Sequence, residues 1–302
     1  MTSSIHPTVN LFKGQTLVGI WNKKTYKIIR KIGEGARGSI YLASNQNRQV
    51  ALKISRDSSV VTAEVNALKT LQKVQGIQLG PSLLDVDDAY ISKYDKKSFY
   101  VMEYINGVPM NRFVRAKGLK WLIPISSQVL LQLHYLHKIG YIFGDLKPEN
   151  ILIDVQTKRV RLVDVGGVTQ FGRSIREYST WYDRGYWGLG SRKAEPSYDL
   201  FAFAVCLMSM DPKIKIDTKH KKDITNLLSK ATNISPFHSI ITKAFKGQYT
   251  HAIEMKRDIE QLIHQSRKMK RSKKSNDRPT TELISIASIV SVYLFLLHYF
   301  LF

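Results

Sequence analysis

The chain has little cysteine: Cys206 alone among 302 residues, so no intramolecular disulfide can staple the fold. Cys206 sits in the apolar run Leu200–Met210 and reads as a small buried hydrophobe, which suits a reducing cytoplasm. Met1–Asn10 lacks a charged patch followed by an apolar stretch, so no secretory leader is expected. Acids are scarce too. Against 46 Lys and Arg there are 24 Asp and Glu, a formal charge of +22 that speaks to polyanionic partners rather than to fold.

Two metal patterns are incomplete. His134 and His137 are three apart with no third ligand nearby, so no zinc site is expected. The acidic run Asp85–Asp88 lacks the glycine and terminal glutamate of a calcium loop, and reads as a turn between strands.

What is present is chemistry for phosphate. Residues 145–150 read Asp-Leu-Lys-Pro-Glu-Asn, and Asp164-Val165-Gly166 begins 19 residues after Asp145. This gives a carboxylate to orient a hydroxyl (Asp145), an ammonium for a phosphate (Lys147) and an Asn150/Asp164 pair of oxygen ligands for a hard divalent cation. Upstream, Gly33-Glu34-Gly35-Ala36-Arg37-Gly38 lies between two strand-like runs, Tyr26–Ile32 and Ser39–Ala43. A dinucleotide turn must open a helix. Here a strand follows, so Gly33, Gly35 and Gly38 read as the bend of a hairpin whose bare backbone can approach phosphates. Lys53 is embedded in the apolar strand Gln49–Ile54 and needs an anionic partner. Glu64, in the helical stretch Ser59–Leu71 with an apolar stripe of Val60, Ala63, Leu68 and Leu71, is the candidate.

In this order and spacing, the motifs resemble the eukaryotic-type Ser/Thr protein kinases of bacteria over about residues 24–265. The resemblance implies an α+β, bilobal protein-kinase-like fold: a small lobe with an antiparallel five-stranded sheet and one helix (24–103), a hinge (103–108) and a helical lobe (109–265), after an N-terminal extension (1–23). It implies ATP as co-substrate with Mg2+ or Mn2+, and protein hydroxyls as acceptors. Met102 would be the gatekeeper, Glu103 and Ile105 would present backbone to adenine, and Ile40, Ala51 and Leu152 would sandwich the purine. Lys53 would bridge the ATP phosphates and Glu64.

The chain departs from the family at several points. Phe143-Gly144 replaces the usual His-Arg before Asp145, so no arginine is available there for a phosphorylated activation segment. Val165 replaces the usual Phe, and Ala194-Glu195-Pro196 reorders the usual Ala-Pro-Glu, which leaves the glutamate's salt bridge open. Ser174, Tyr178, Ser179, Thr180 and Ser191 are all candidate autophosphorylation sites.

The last twenty residues, Leu283–Phe302, hold no Asp, Glu, Lys or Arg. A helix of that length spans about 30 Å, the thickness of a hydrocarbon core. A transmembrane anchor over 282–302 is expected, with no outer domain and, from the basic flank, the kinase domain on the cytoplasmic face. The linker 266–281 carries Arg267, Lys268, Lys270, Arg271, Lys273, Lys274 and Arg278 against the single acid Asp277. Three readings stand: a topology signal touching anionic lipid, sequence-independent DNA binding, or docking of an acidic protein. Crowding on a polyanion would favour self-association and raise activity. A nucleotide-binding scaffold without transfer and a small-molecule phosphotransferase are the alternatives to a protein kinase.

Overall fold

A computed structural model describes residues 9–263 except 36, 75 and 218–222. It divides into two units, Met1–Lys256 and Arg257–Phe302; in the second, the described residues 257–263 are helical. The linker and anchor positions lie outside the described residues. Among the described residues no helix is long and apolar enough to cross a membrane.

The small lobe is built on strands β1 (Thr16–Val18), β2 (Thr25–Gly35), β3 (Gly38–Asn45), β4 (Arg48–Ser55), β5 (Leu83–Ser92) and β6 (Asp95–Glu103), with helix α1 (Ser58–Gln72) between β4 and β5. Their antiparallel order is β1-β2-β3-β4-β6-β5, six strands where five were expected. The extra strand comes from the N-terminal extension. Val9, Leu11 and Leu17 bury themselves against Tyr26, Ile28, Tyr41, Leu52, Ile54 and Phe99 on one face of the sheet. The Tyr41 hydroxyl fixes the strap, donating to the Val9 carbonyl at 2.8 Å and accepting from the Leu11 N–H at 3.0 Å.

Asp85–Asp88 is not a turn; it lies inside β5. Asp85 and Asp87 are buried because the strap supplies donors. Asp87 accepts from the Trp21 and Asn22 N–H groups at 2.9 and 2.7 Å, and Asp85 from Asn22 Nδ2 and the Tyr26 hydroxyl, both at 2.6 Å. These carboxylates satisfy backbone and side-chain donors that would otherwise lose water unpaired.

The register places the cleft residues. Ile40 pairs with Lys53 and Lys53 with Tyr100, while Leu42 pairs with Ala51 and Ala51 with Met102. With a period of two, Ile40, Ala51 and Lys53 share one face, and the strap-covered core takes the other. Helix α1 turns Val61, Glu64, Val65, Leu68 and Leu71 inward, a stripe rotated from the expected one: Val60 is only half-buried and Ala63 is exposed.

The larger lobe continues through β7 (Gly107–Pro109), α2 (Met110–Lys117), α3 (Leu122–Lys138), β8 (Tyr141–Ile142), β9 (Ile151–Asp154), β10 (Val160–Leu162), β11 (Thr169–Gln170), α4 (Arg184–Trp187), α5 (Pro196–Met208), α6 (Ile224–Lys230) and α7 (His238–Phe245). Every residue of α5 from Tyr198 to Met208 is buried, so this helix is the lobe's core rather than an amphipathic surface element. Strands β10-β9-β7 form one small sheet and β8-β11 another, and together they frame the loop 143–150.

Candidate active site

Lys53, 5% exposed, donates to Glu64 Oε1 at 2.6 Å and to Asp164 Oδ1 at 3.2 Å. Burial alone depresses an ammonium's pKa, but here the Asp164 and Glu64 carboxylates outweigh it and hold Lys53 above its ordinary value. Glu64 is buried beside Lys53. It is 2% exposed, and its second oxygen accepts from the Tyr100 hydroxyl at 2.9 Å, so both of its oxygens are engaged. Tyr100 escaped the sequence reading. Its position two residues before Met102, on the Lys53 face of β6, was the available signal.

In the loop 143–150, Lys147 Nζ donates to Asp145 Oδ2 at 2.7 Å and to Ser179 Oγ at 3.0 Å. Asn150 Nδ2 donates to the Asp145 carbonyl at 2.9 Å. Asp145 Oδ1 is buried without a hydrogen-bond partner among the described residues. The loop hangs from Asp199 of α5, wholly buried, which accepts from the Phe143 N–H at 2.7 Å, the Gly144 N–H at 2.9 Å and pairs with His137 Nε2 at 2.9 Å. His137 thus works as a brace in the loop's support. Asp164 sits at φ 62°, ψ 76°, a left-handed conformation unfavourable for a non-glycine residue and found where surroundings over-determine the backbone.

The expected purine-binding residues fall around the same cleft. Ala51 and Met102 are buried, and Ile40 and Leu152 are half-exposed. The Glu103 N–H donates to the Ser82 carbonyl at 2.8 Å, so an adenine contact by Glu103 falls to its carbonyl. In the glycine hairpin Gly35 is open and a Cβ on Gly33 would only touch the Ile40 side chain, but Gly38 serves packing: at φ +143°, a Cβ there would overlap the Ile54 carbonyl oxygen. Its role is close strand approach, whatever it does for phosphate.

Arg161, also unforeseen, crosses from β10 to the hinge. Its guanidinium donates to Glu103 Oε1 at 2.9 Å, Glu103 Oε2 at 2.8 Å and the Gly80 carbonyl at 2.9 Å. Arg161 is the register partner of Leu152, so this fork ties the adenine floor to the hinge. No local periodicity announces such a pairing across 58 residues.

The segment after Asp164 is held by its own ion pairs. Asp183, fully buried, caps α4 through the Gly185 and Tyr186 N–H groups and accepts from Arg192 Nη2 at 2.6 Å and the Tyr198 hydroxyl at 3.0 Å. Glu195 does make a salt bridge. Its partner is Arg184 at 2.7 Å, whose hydrogen bond holds the carboxyl below its usual range.

The protein kinase domain family matches residues 26–286. Over 275 residues the chain is 42% identical to the serine/threonine-protein kinase YabT of Bacillus subtilis (strain 168), spanning 90% of this chain and 81% of that protein. It is 24% identical to the kinase PrkC of the same organism, covering 89% of this chain but 45% of PrkC. Among solved structures, vaccinia related kinase 3 superposes with a TM-score of 0.64 at 14% identity, over 86% of this chain and 93% of that one. The Mycobacterium tuberculosis PknI kinase domain gives 0.58 at 15% identity, over 84% and 100%. At such identities the superpositions speak to the fold, which is bilobal and kinase-like. Sequence match, fold and the Lys53–Glu64–Asp164 arrangement agree, and the chain belongs to the protein kinase family as a serine/threonine protein kinase.

Proposed function

We propose that the enzyme transfers the γ-phosphate of ATP to hydroxyls on protein substrates, with Asp145 as the group that receives the hydroxyl. The observation that carries this is the division of labour on Asp145: Oδ2 is engaged by Lys147, while Oδ1 is buried and unpartnered among the described residues. A buried carboxylate oxygen without a donor costs about 1–3 kcal/mol, which an incoming hydroxyl offsets. Asp145 then orients that hydroxyl and accepts its proton. Lys147 counters charge on the phosphate in transit, and Lys53, fixed by Glu64, positions the phosphates upstream.

Magnesium or manganese fits the residues present. Asn150 donates through its nitrogen and so presents an amide oxygen, and Asp164 adds a carboxylate, a hard all-oxygen donor set. Asn150 and Asp164 would hold the ion, which would supply positive charge to offset the negative charge of the phosphates. Radiolabelled ATP with a generic basic protein tests the reading, with Asp145→Ala as control. Label on a sugar or antibiotic but never on protein marks a small-molecule phosphotransferase, and nucleotide binding without transfer marks a scaffold.

We also read the tail as an anchor holding the kinase domain at the cytoplasmic face, with the basic linker against anionic lipid or DNA. Support comes from the uncharged run 283–302 and the seven basic residues before it. Membrane fractionation tests the anchor. Neutralising the seven basic residues, then measuring autophosphorylation with DNA and with anionic vesicles, tests the linker. Unchanged activity in both arms refutes a polyanion role.

A further inference from the structure

Arg37 stands at the bend of the β2–β3 hairpin, and its guanidinium forms an ion pair with Glu177 of the segment following Asp164. The pair reaches across the phosphate end of the cleft. Glu177 and Glu64 converge on one glycine: a Cβ on Gly166 would lie 2.9 Å from Glu64 Oε1 and nearer still to Glu177 Oε2. Partial burial pushes the Arg37 guanidinium below its ordinary pKa, opposed first by Glu64 and then by Asp164, so it lies in the field of both carboxylates that hold Lys53. Three carboxylates and two cations therefore crowd the place where a nucleotide's phosphates belong. A cavity of about 1210 Å³, lined by Asp57, Asn66, Thr169, Arg176 and the pair itself, opens beside them and gives Glu177 room to withdraw.

We propose that Arg37 is a phosphate-binding residue held in reserve by Glu177, and that the nucleotide's phosphates displace Glu177 from it. A guanidinium pairs with phosphate through the same fork geometry it uses for a carboxylate, so the exchange replaces one charge-assisted contact by another. The polyphosphate brings more negative charge than Glu177 does and sits between Arg37 and Lys53. Glu177, released, no longer ties the segment 167–192 to the hairpin. Nucleotide binding and the freedom of that segment are thus linked, and the linkage is reciprocal.

The inference rests on nucleotide binding in the Lys53 cleft, and adenosine separates the two. Binding of ATP, ADP and adenosine to the full-length protein is measured by calorimetry for the wild type, Glu177→Gln, Arg37→Ala and the double variant. Removing the competing carboxylate, a contact of about 1 kcal/mol, tightens ATP and ADP roughly fivefold in Glu177→Gln. Arg37→Ala weakens both by about tenfold, the double variant matches Arg37→Ala, and adenosine, which has no phosphate, binds all four alike. ATP and ADP unchanged or weakened in Glu177→Gln overturns the proposal, as does adenosine shifting in parallel, because a merely structural hairpin contact moves all three ligands. If the wild type binds none of the three, the nucleotide reading itself fails and this inference fails with it.

Discussion

Gly144 lies directly against the carbonyl of Gly167: its φ is +81°, and a Cβ built on it would overlap that oxygen. The position before Asp145 is where the family's arginine belongs. In this chain the backbone there is committed otherwise, with the Phe143 and Gly144 N–H groups both donating to Asp199. The missing arginine is therefore a packing requirement of the loop as built. It is more than a lost phosphate receptor.

Reinstating the arginine fails on these grounds. Gly144→Arg, and Gly144→Ala almost as much, forces either the left-handed backbone or the Gly167 contact to give way, a loss of roughly 2–4 kcal/mol. Both variants are expected to melt earlier and to lose autophosphorylation. A Gly144→Arg protein with wild-type melting and higher activity contradicts this account.

Lys53→Ala removes the phosphate cation and leaves Glu64 buried without its counter-charge, so transfer is expected to fall by two orders of magnitude or more, on the order of 3 kcal/mol. Tyr100→Phe is the informative partner. It keeps Lys53 and deprives one Glu64 oxygen of its donor, about 1–2 kcal/mol of stability, or roughly 2–8 °C in Tm for a domain of this size. Melting curves and single-turnover rates separate the two. Tyr100→Phe shifts Tm with only a modest rate change, whereas Lys53→Ala abolishes the rate.

These outcomes mark what was legible in the sequence. The pairing of Lys53 with Glu64 was legible because a lysine in an apolar strand needs a carboxylate, and the structure shows that contact, with Asp164 as a second partner. Helix α5 was equally readable, because the run Leu200–Met210 is apolar all round and can only be buried. The strap was not. Val9, Leu11 and Leu17 are few and interrupted by polar residues and Gly14, and their value appears only against a sheet face assembled from distant strands. For the same reason Asp85 and Asp87 looked like turn residues: acids inside a strand make sense only once Trp21, Asn22 and Tyr26 arrive to donate to them.

A chain beginning at Thr25 therefore lacks part of the domain's core. Burying each of Val9, Leu11 and Leu17 contributes up to about 1.5–3 kcal/mol, and Asp87 loses the Trp21 and Asn22 donors. The truncated protein is expected to be insoluble or to melt well below the full chain. Tyr41→Phe is a gentler probe: it breaks both strap bonds and is expected to cost about 1–2 kcal/mol. Equal denaturation midpoints for Tyr41→Phe and wild type are incompatible with a load on that hydroxyl.

The hinge gives a pH signature. Partial burial raises the Glu103 carboxyl, but hydrogen bonds from Arg161, Ser82 and Gln78 outweigh burial and leave its pKa below the ordinary 4.5. A carboxyl depressed on folding contributes stability that is fully present above its unfolded value and is lost as pH falls through its folded value. The Arg161 fork should therefore be intact at neutral pH and weaken only below about pH 4.5, where Glu103 begins to protonate. Glu103→Gln removes this titration at all pH values. Chemical denaturation of wild type and Glu103→Gln from pH 7 to pH 3 is expected to show a stability gap that is widest at pH 7 and narrows on acidification. Arg161→Lys, which keeps charge but loses the fork, is expected to raise KM for ATP more than it lowers kcat, because the hinge and the Leu152 floor separate while Asp145 keeps its place. A gap that widens toward pH 3 shows that the hinge carboxyl titrates in the opposite sense.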